Sequence, residues 1–239
     1  MFKVGITEQG DAGLDFSWVN KLCRVNIIIS KELNDELIEN LIKHKNKIIF
    51  HMTCTGHGAT KLEPNVPSVQ YTHNQITKLI KSGFPPNQIV LRVDPIIPTA
   101  KGINTVREVL DLFKGIGIIR VRYSFIDMYP HVIKRFTDND IKLPFKGFSA
   151  PQKMIDNTYD LFKEYEHYYR FESCAERDNN QVGCISELDM YNLGIEQKIL
   201  PNFHPSRLGC LCPRCKTELL KNKTQCGHGC LYCYWKDKE

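Results

Sequence analysis

The sequence predicts an α/β fold: a partial (β/α)6 TIM-like barrel over residues 1–205, followed by a cysteine-rich, metal-organised tail over 206–239. Three observations lead there. Short apolar, β-branched runs alternate six times with stretches of helical periodicity. The runs are apolar on both faces, as strands buried in a parallel sheet are. From about Ser206 the texture changes to a segment rich in Cys, Lys and Gly.

The six strands are read at "FKVGIT" (2–7), "VNIIIS" (25–30), "KIIFHMTCT" (47–55), "QIVLRVDPI" (88–96), "IIRVRYSFID" (118–127) and "YYRFESC" (168–174), each bounded by Gly, Pro, Asn or charged residues. Helical periodicity fills the gaps. Residues 31–44 put Leu33, Leu37, Ile38, Leu41 and Ile42 on one stripe. Residues 72–83 end in Gly83, a residue suited to the position past a helix end. Residues 104–117 open on an Asn-Thr cap signal and stop at Gly115, and 150–166 carry a longer pattern. Strand–helix alternation of this kind builds right-handed βαβ units with helices outside the sheet.

A chain of 239 residues can bury a core without cross-links. Its 42% apolar and 25% charged content is that of a soluble globular protein. The net charge of +5 permits an anionic substrate or nucleic acid without arguing for either. No apolar run reaches the roughly 20 residues of a membrane helix, so no membrane association is expected. The opening "MFKVGITEQGDAG" turns polar before a signal-peptide core forms. The expected location is cytoplasmic, where the ten cysteines serve as thiols, metal ligands or catalytic groups rather than disulfides.

In a barrel, functional groups project from the C-terminal ends of the strands. Here those ends supply Glu8 and Gln9; His51, Thr53, Thr55 and His57; Arg92 and Asp94; Arg122, Ser124 and Asp127; and Glu172, Cys174, Glu176 and Arg177. Arg92 with Asp94, or Arg92 with Glu172, can equally form a structural ion pair. The convergence of polar groups from several strand ends on one rim points to a binding site. Arg92, Asp94, Arg122 and Glu172 are candidate catalytic residues, able to grip a cofactor's ribose and carboxylate or the substrate. Glu8, Thr53, Ser124 and Tyr232 are candidate cofactor contacts.

The strongest chemical signal is "CGHGCLYC". Cys226, Cys230 and Cys233 stand at Cys-x3-Cys-x2-Cys spacing. Three thiolates hold three irons of a [4Fe–4S] cluster and leave the fourth open to a small molecule. Radical chemistry with S-adenosylmethionine uses such an open iron. The same spacing also suits a structural zinc site completed by His228 or another cysteine. Cys174, Cys184, Cys210, Cys212 and Cys215 offer ligands for a second centre, zinc or iron–sulfur. Cys23 and Cys54 are isolated and read as core thiols.

The "CGHGCLYC" motif resembles the cluster loop of the radical SAM superfamily, which is usually placed after the first strand of a (β/α)6 partial barrel. With the motif at the chain end, the sequence resembles a bacterial domain of unknown function that carries a C-terminal cysteine cluster. The matching stretches are "LEPNVP", "VLRVDPIIPT", "YSFIDMY", "ESCAE", "GCISELD" and "CLC…CGHGCLYCYW". That family opens with an Arg-Arg-Thr-Asp-type motif after its first strand, where this chain has "TEQGDAG". The resemblance implies Cys174, Cys184, Cys210 and Cys212 as the four-ligand set, with Cys215 an alternative. It also implies a [4Fe–4S] cluster, S-adenosylmethionine, a small-molecule or nucleotide substrate, and an electron donor of the flavodoxin or ferredoxin type. The competing expectation is a structural-zinc protein whose rim binds an anionic partner such as nucleic acid.

Overall fold

Seven parallel strands form one sheet in the order β6-β5-β4-β3-β2-β1-β7. The computed structural model describes residues 2–176, 178–196, 198–199, 210–222 and 225–236. The strands are β1 (Val4–Ile6), β2 (Val25–Ser30), β3 (Ile48–Thr53), β4 (Ile89–Ile96), β5 (Arg120–Phe125), β6 (Arg170–Ser173) and β7 (Lys216–Glu218). The first six lie in sequence order, each paired in parallel with the next. The sheet is open, because β6 and β7 are edges that do not pair with each other. The alternation read from the sequence is therefore present, but the sheet does not close.

The seventh strand departs from expectation. "KTE" lies in the tail, where no strand was read, yet it pairs in parallel with β1, Val4 opposite Lys216 and Ile6 opposite Glu218. Cys215 O accepts from Val4 N at 2.9 Å and Ile6 O from Leu219 N at 2.8 Å. The tail is thus built into the sheet. The expected boundary at 205/206 falls outside the described residues.

Helices α1 (Asp35–Lys43), α2 (Val69–Lys81), α3 (Ala100–Phe113) and α5 (Gln152–Tyr165) match the four helical patterns. Asn34 caps α1 by accepting from Leu37 N, with Asp35 and Glu36 in the first turn and Lys43 in the last, each favourable to the helix dipole. Helix α2 ends before Gly83, which takes a left-handed φ of 92°. Helix α3 starts earlier than its Asn-Thr signal, because Thr99 supplies the cap by accepting from Gly102 N. Two short helices had no sequence reading: α4 (Pro130–Asp138), opened by proline at its first turn, and α6 (Glu187–Asn192), held by a Ser186/Asp189 capping box.

Strand alternation divides the apolar residues between the two faces. On one face Phe50, Met52, Leu91, Val93, Val121 and Tyr123 pack against α1, α2, α3 and α5 in the main core. On the other, Val4, Ile6, Val25, Ile27, Ile49 and Val90 pack against Ile185, Met190, Cys184 and Cys212. This second face, covered partly by α6 and the cysteine segments, carries the polar site. Cys54 is buried in the main core and Cys23 packs against it, as expected of core thiols.

Candidate functional site

The C-terminal strand ends and the tail enclose a cavity of about 560 Å³. Glu8 and Asp11 reach it from the segment after β1, Lys31 from the end of β2, and Thr53 from β3. Arg92 and Asp94 reach it from β4, Ser124 from β5, and Cys174 from just past β6. The tail adds Cys226, His228, Cys230, Tyr232 and Cys233. Two predicted catalytic residues are not part of the lining. Arg122 and Glu172 lie buried beneath it and are bonded to each other.

The layer beneath is an ion network. Glu172 accepts from Arg120 Nε and an Arg120 terminal nitrogen, both at 3.1 Å, and from Arg122 at 2.6 Å. Arg120 also donates to Asp189 at 2.7 Å, and Arg122 donates to Gly183 O at 2.9 Å. Burial alone would raise the Glu172 carboxyl. Arg122 and Arg120 outweigh it and hold the group below its ordinary range. His51 is fully buried beside these cations. Burial, then Arg122, Arg92 and Arg120, keep its imidazole well below its usual pKa and therefore neutral. Of the two ion pairings left open by the sequence, Arg92 pairs with Asp94, whose other oxygen accepts from Ser124.

The "CGHGCLYC" loop is seated by residues from distant segments. His228 Nε2 lies 2.8 Å from Asp11 Oδ2 and its Nδ1 lies 3.3 Å from Asn65 O. Asn65 Nδ2 donates to Gly227 O at 2.8 Å, and Leu231 N donates to Leu62 O at 3.0 Å. Arg135 on α4 donates to the carbonyls of both Cys230 and Cys233. Tyr232 donates its hydroxyl to Glu63, which also accepts from Lys31 at 2.6 Å and Thr55 at 2.7 Å. Gly229 takes φ of 67°, and a Cβ there would stand 3.3 Å from Pro64 Cγ. Tyr232 lines the cavity, and its hydroxyl is committed to the loop's own anchorage.

These anchors, Asp11, Lys31, Glu63, Asn65 and Arg135, were not singled out in the sequence. Four of them sit in connections whose texture reads as loop. The available signal was "LEPNVP", which sets a carboxylate between apolar and proline residues. Glu63 proves to be 1% exposed, and a carboxylate so deep must be paired.

Two sets of thiols face the cavity. Burial raises the Cys226 thiol and pushes Cys230 up to about 12, so ligation there has to displace protons. The second set is a chain of sulfur contacts. Cys174 Sγ lies 3.9 Å from Cys184 Sγ, Cys184 N donates to Cys212 Sγ at 3.2 Å, and Cys212 N donates to Cys210 Sγ at 3.5 Å. Hydrogen bonds from Cys174 and Cys212, with Arg92 and Arg122 nearby, hold Cys184 well below the usual thiol range. A hydrogen bond from Cys212 lowers Cys210 to about 6. Cys215 lies outside this chain and does not line the cavity. Its burial raises its thiol. Among the described residues, no three His, Cys, Asp or Glu side chains converge as ligands of one ion do. Glu176 accepts from Phe125 N at 3.0 Å, and Arg177 lies outside the described residues.

A family model described as "Domain of unknown function (DUF1848)" matches residues 19–235. No curated protein matches the chain. No helix among the described residues is long and apolar enough to cross a membrane.

Proposed function

We propose that this chain, which belongs to the DUF1848 family, is a radical S-adenosylmethionine-type enzyme. Cys226, Cys230 and Cys233 would hold a [4Fe–4S] cluster with one open iron. Bound and reduced, such a cluster would supply one electron for the reductive cleavage of S-adenosylmethionine and so the means to start radical chemistry on a substrate. The observation that carries this reading is the convergence of both cysteine sets on one cavity at the strand ends. A single zinc ion would draw its thiolates to about 2.3 Å from one point. A cluster would spread its thiolates over several irons.

The chain's own part is to bind, orient and exclude water. Arg92, Asp94, Thr53 and Ser124 offer donors and acceptors to a ribose or carboxylate at the strand ends. Glu8 stands opposite, paired with Lys216. Lys31 sits beside the proposed cluster loop, kept charged by Glu63, whose field and hydrogen bond oppose the burial that would lower it. Arg122 and Glu172 stiffen the layer below, and the tail shields the cavity. The sequential order β1 to β6 with helices between strands supports reading the sheet as a partial barrel. Ten free cysteines suit a reducing compartment, the cytoplasm, where a flavodoxin- or ferredoxin-type donor would deliver the electron.

The test is anaerobic reconstitution of the full chain with iron and sulfide. Iron–sulfur absorbance that falls in Cys226→Ala supports the reading, and reductant-dependent cleavage of S-adenosylmethionine then tests the chemistry. Zinc bound without sulfide, or absorbance unchanged in the variant, removes it.

A further inference from the structure

Beneath the cavity, His51 on β3 is fully buried, and neither of its ring nitrogens has a partner among the described residues. A buried polar group without a hydrogen bond is costly, so a native one calls for an explanation. Alternation along β3 puts the ring on the face shared by Ile49 and Thr53, and register sets it between Ile29 of β2 and Val90 of β4. Cys184 and Cys212 are buried against this face, and Cys174 and Cys210 pack against the same cluster. Burial, Arg122, Arg92 and Arg120 lower the imidazole, and Cys184 opposes them. The ring therefore lies within the field of the sulfur chain.

The carboxylates on this face are already taken. Glu172 accepts from Arg120 and Arg122, Asp94 from Arg92 and Ser124, and Asp189 from Arg120 and Ser186. Donors are in surplus: besides His51, the Nε of Arg92 and that of Arg122 have no partner among the described residues. A neutral imidazole has one N–H donor and one acceptor nitrogen. A guanidinium N–H matches the acceptor in kind. For the donor, the acceptor left on this face is sulfur.

We propose that His51 is a positioning residue for the second centre, donating its ring N–H to a sulfur of the group held by Cys174, Cys184, Cys210 and Cys212. This rests on reading that cysteine set as an iron–sulfur centre. Hydrogen bonds to the sulfurs are one of the levers that set a cluster's potential. Reduction adds negative charge to the sulfurs, so a donor beside them favours the reduced form and raises the potential. His51 is sealed from solvent, so no water takes the place of its N–H when the ring is removed.

The test uses the full chain carrying Cys226→Ala, Cys230→Ala and Cys233→Ala, reconstituted with iron and sulfide so that the second set alone can load a cluster. A redox titration followed by electron paramagnetic resonance gives its potential. His51→Leu is expected to shift the reduction equilibrium about tenfold toward the oxidised form, a fall of about 59 mV for a one-electron couple. His51→Gln keeps an N–H donor and should stay within about twofold of the parent. In the parent chain with histidine labelled in heavy nitrogen, the reduced centre should show a weak nitrogen coupling that His51→Gln abolishes, and this readout does not depend on the folding of His51→Leu. An unshifted potential in His51→Leu, an equal fall in His51→Gln, or no nitrogen coupling overturns the proposal and leaves the centre standing. Iron and sulfide missing from the triple variant removes the second centre and the proposal with it, while the first cluster is judged separately by Cys226→Ala.

Discussion

Replacing Glu172 by methionine separates an architectural role from a catalytic one. Its side chain is 2% exposed, and those of Arg120 and Arg122 are 1% and 0% exposed. After the substitution Arg120 keeps Asp189 at 2.7 Å, but Arg122 keeps only the neutral carbonyl of Gly183. Breaking a buried pair by removing one partner costs about 3–5 kcal/mol, mostly from the charge left behind. For a chain of this size that lowers the thermal midpoint by about 6–20 °C. The double variant Glu172→Met/Arg122→Met removes the stranded charge along with its partner, and should recover more than half of the loss. The assay is thermal unfolding by circular dichroism on wild type, the single variants and the double. A shift under about 3 °C in Glu172→Met, together with lost cleavage of S-adenosylmethionine, would refute the reasoning and return Glu172 to the catalytic group.

Other outcomes follow from the same geometry. Because Arg122 and Arg120 hold the Glu172 carboxyl below its ordinary range, its contribution is full above its unfolded pKa of about 4.3 and lost as pH falls through the lower folded value. The stability gap between wild type and Glu172→Met should therefore shrink below about pH 4 in unfolding curves taken across pH. Glu63→Ala strands Lys31 and frees Tyr232. It should cost about 3–5 kcal/mol and expose the segment after β7 to limited proteolysis, whereas Thr55→Val should leave that segment protected. Cys174→Ser should lower iron per chain after reconstitution and Cys215→Ser should not, because Cys215 stands outside the chain of sulfur contacts. Equal losses in both would merge Cys215 into the second centre.

The legible parts of the fold were those with long-range periodicity. Six strands, read as longer apolar runs, and the helices α1, α2, α3 and α5 declare themselves by periodicity, whereas α4, as long as α1 at nine residues, does not. Helix α6, with six residues, and β7, with three, do not, since one or two turns of pattern are indistinguishable from loop. The start of α3 was misplaced because Asn104 and Thr105 resemble a cap while the cap itself is Thr99. At the site, the cysteines and most strand-end polar residues were legible by residue type. Which of the polar residues face the cavity was not. Arg92 and Arg122 have the same alternation and strand register, yet only Arg92 lines the cavity, because β6 offers Glu172 to Arg122.

The tail's role was the least legible feature, and its tethers explain why. His228 reaches Asp11 across 217 residues of sequence, Tyr232 reaches Glu63 across 169, and Arg135 reaches Cys230 across 95. No local pattern encodes contacts at such separations. Each tether comes from a different connection of the sheet, so the geometry of "CGHGCLYC" is set by strands that must already be in register. A motif at the chain end can then be positioned as firmly as one near its start. The strand β7 and the buried Leu219 and Leu220 fix the entry to the loop, and Asp11, Glu63, Asn65 and Arg135 fix its course. The tail is thus continuous with the sheet rather than a detachable lid. Truncation before Cys226 should leave β7 paired but strand the Lys31–Glu63 pair without Tyr232 and Asp11 without His228. The truncated chain is expected to unfold at a lower temperature than wild type as well as to lose iron. An unchanged thermal midpoint would mean that the tethers position the loop without supporting the sheet.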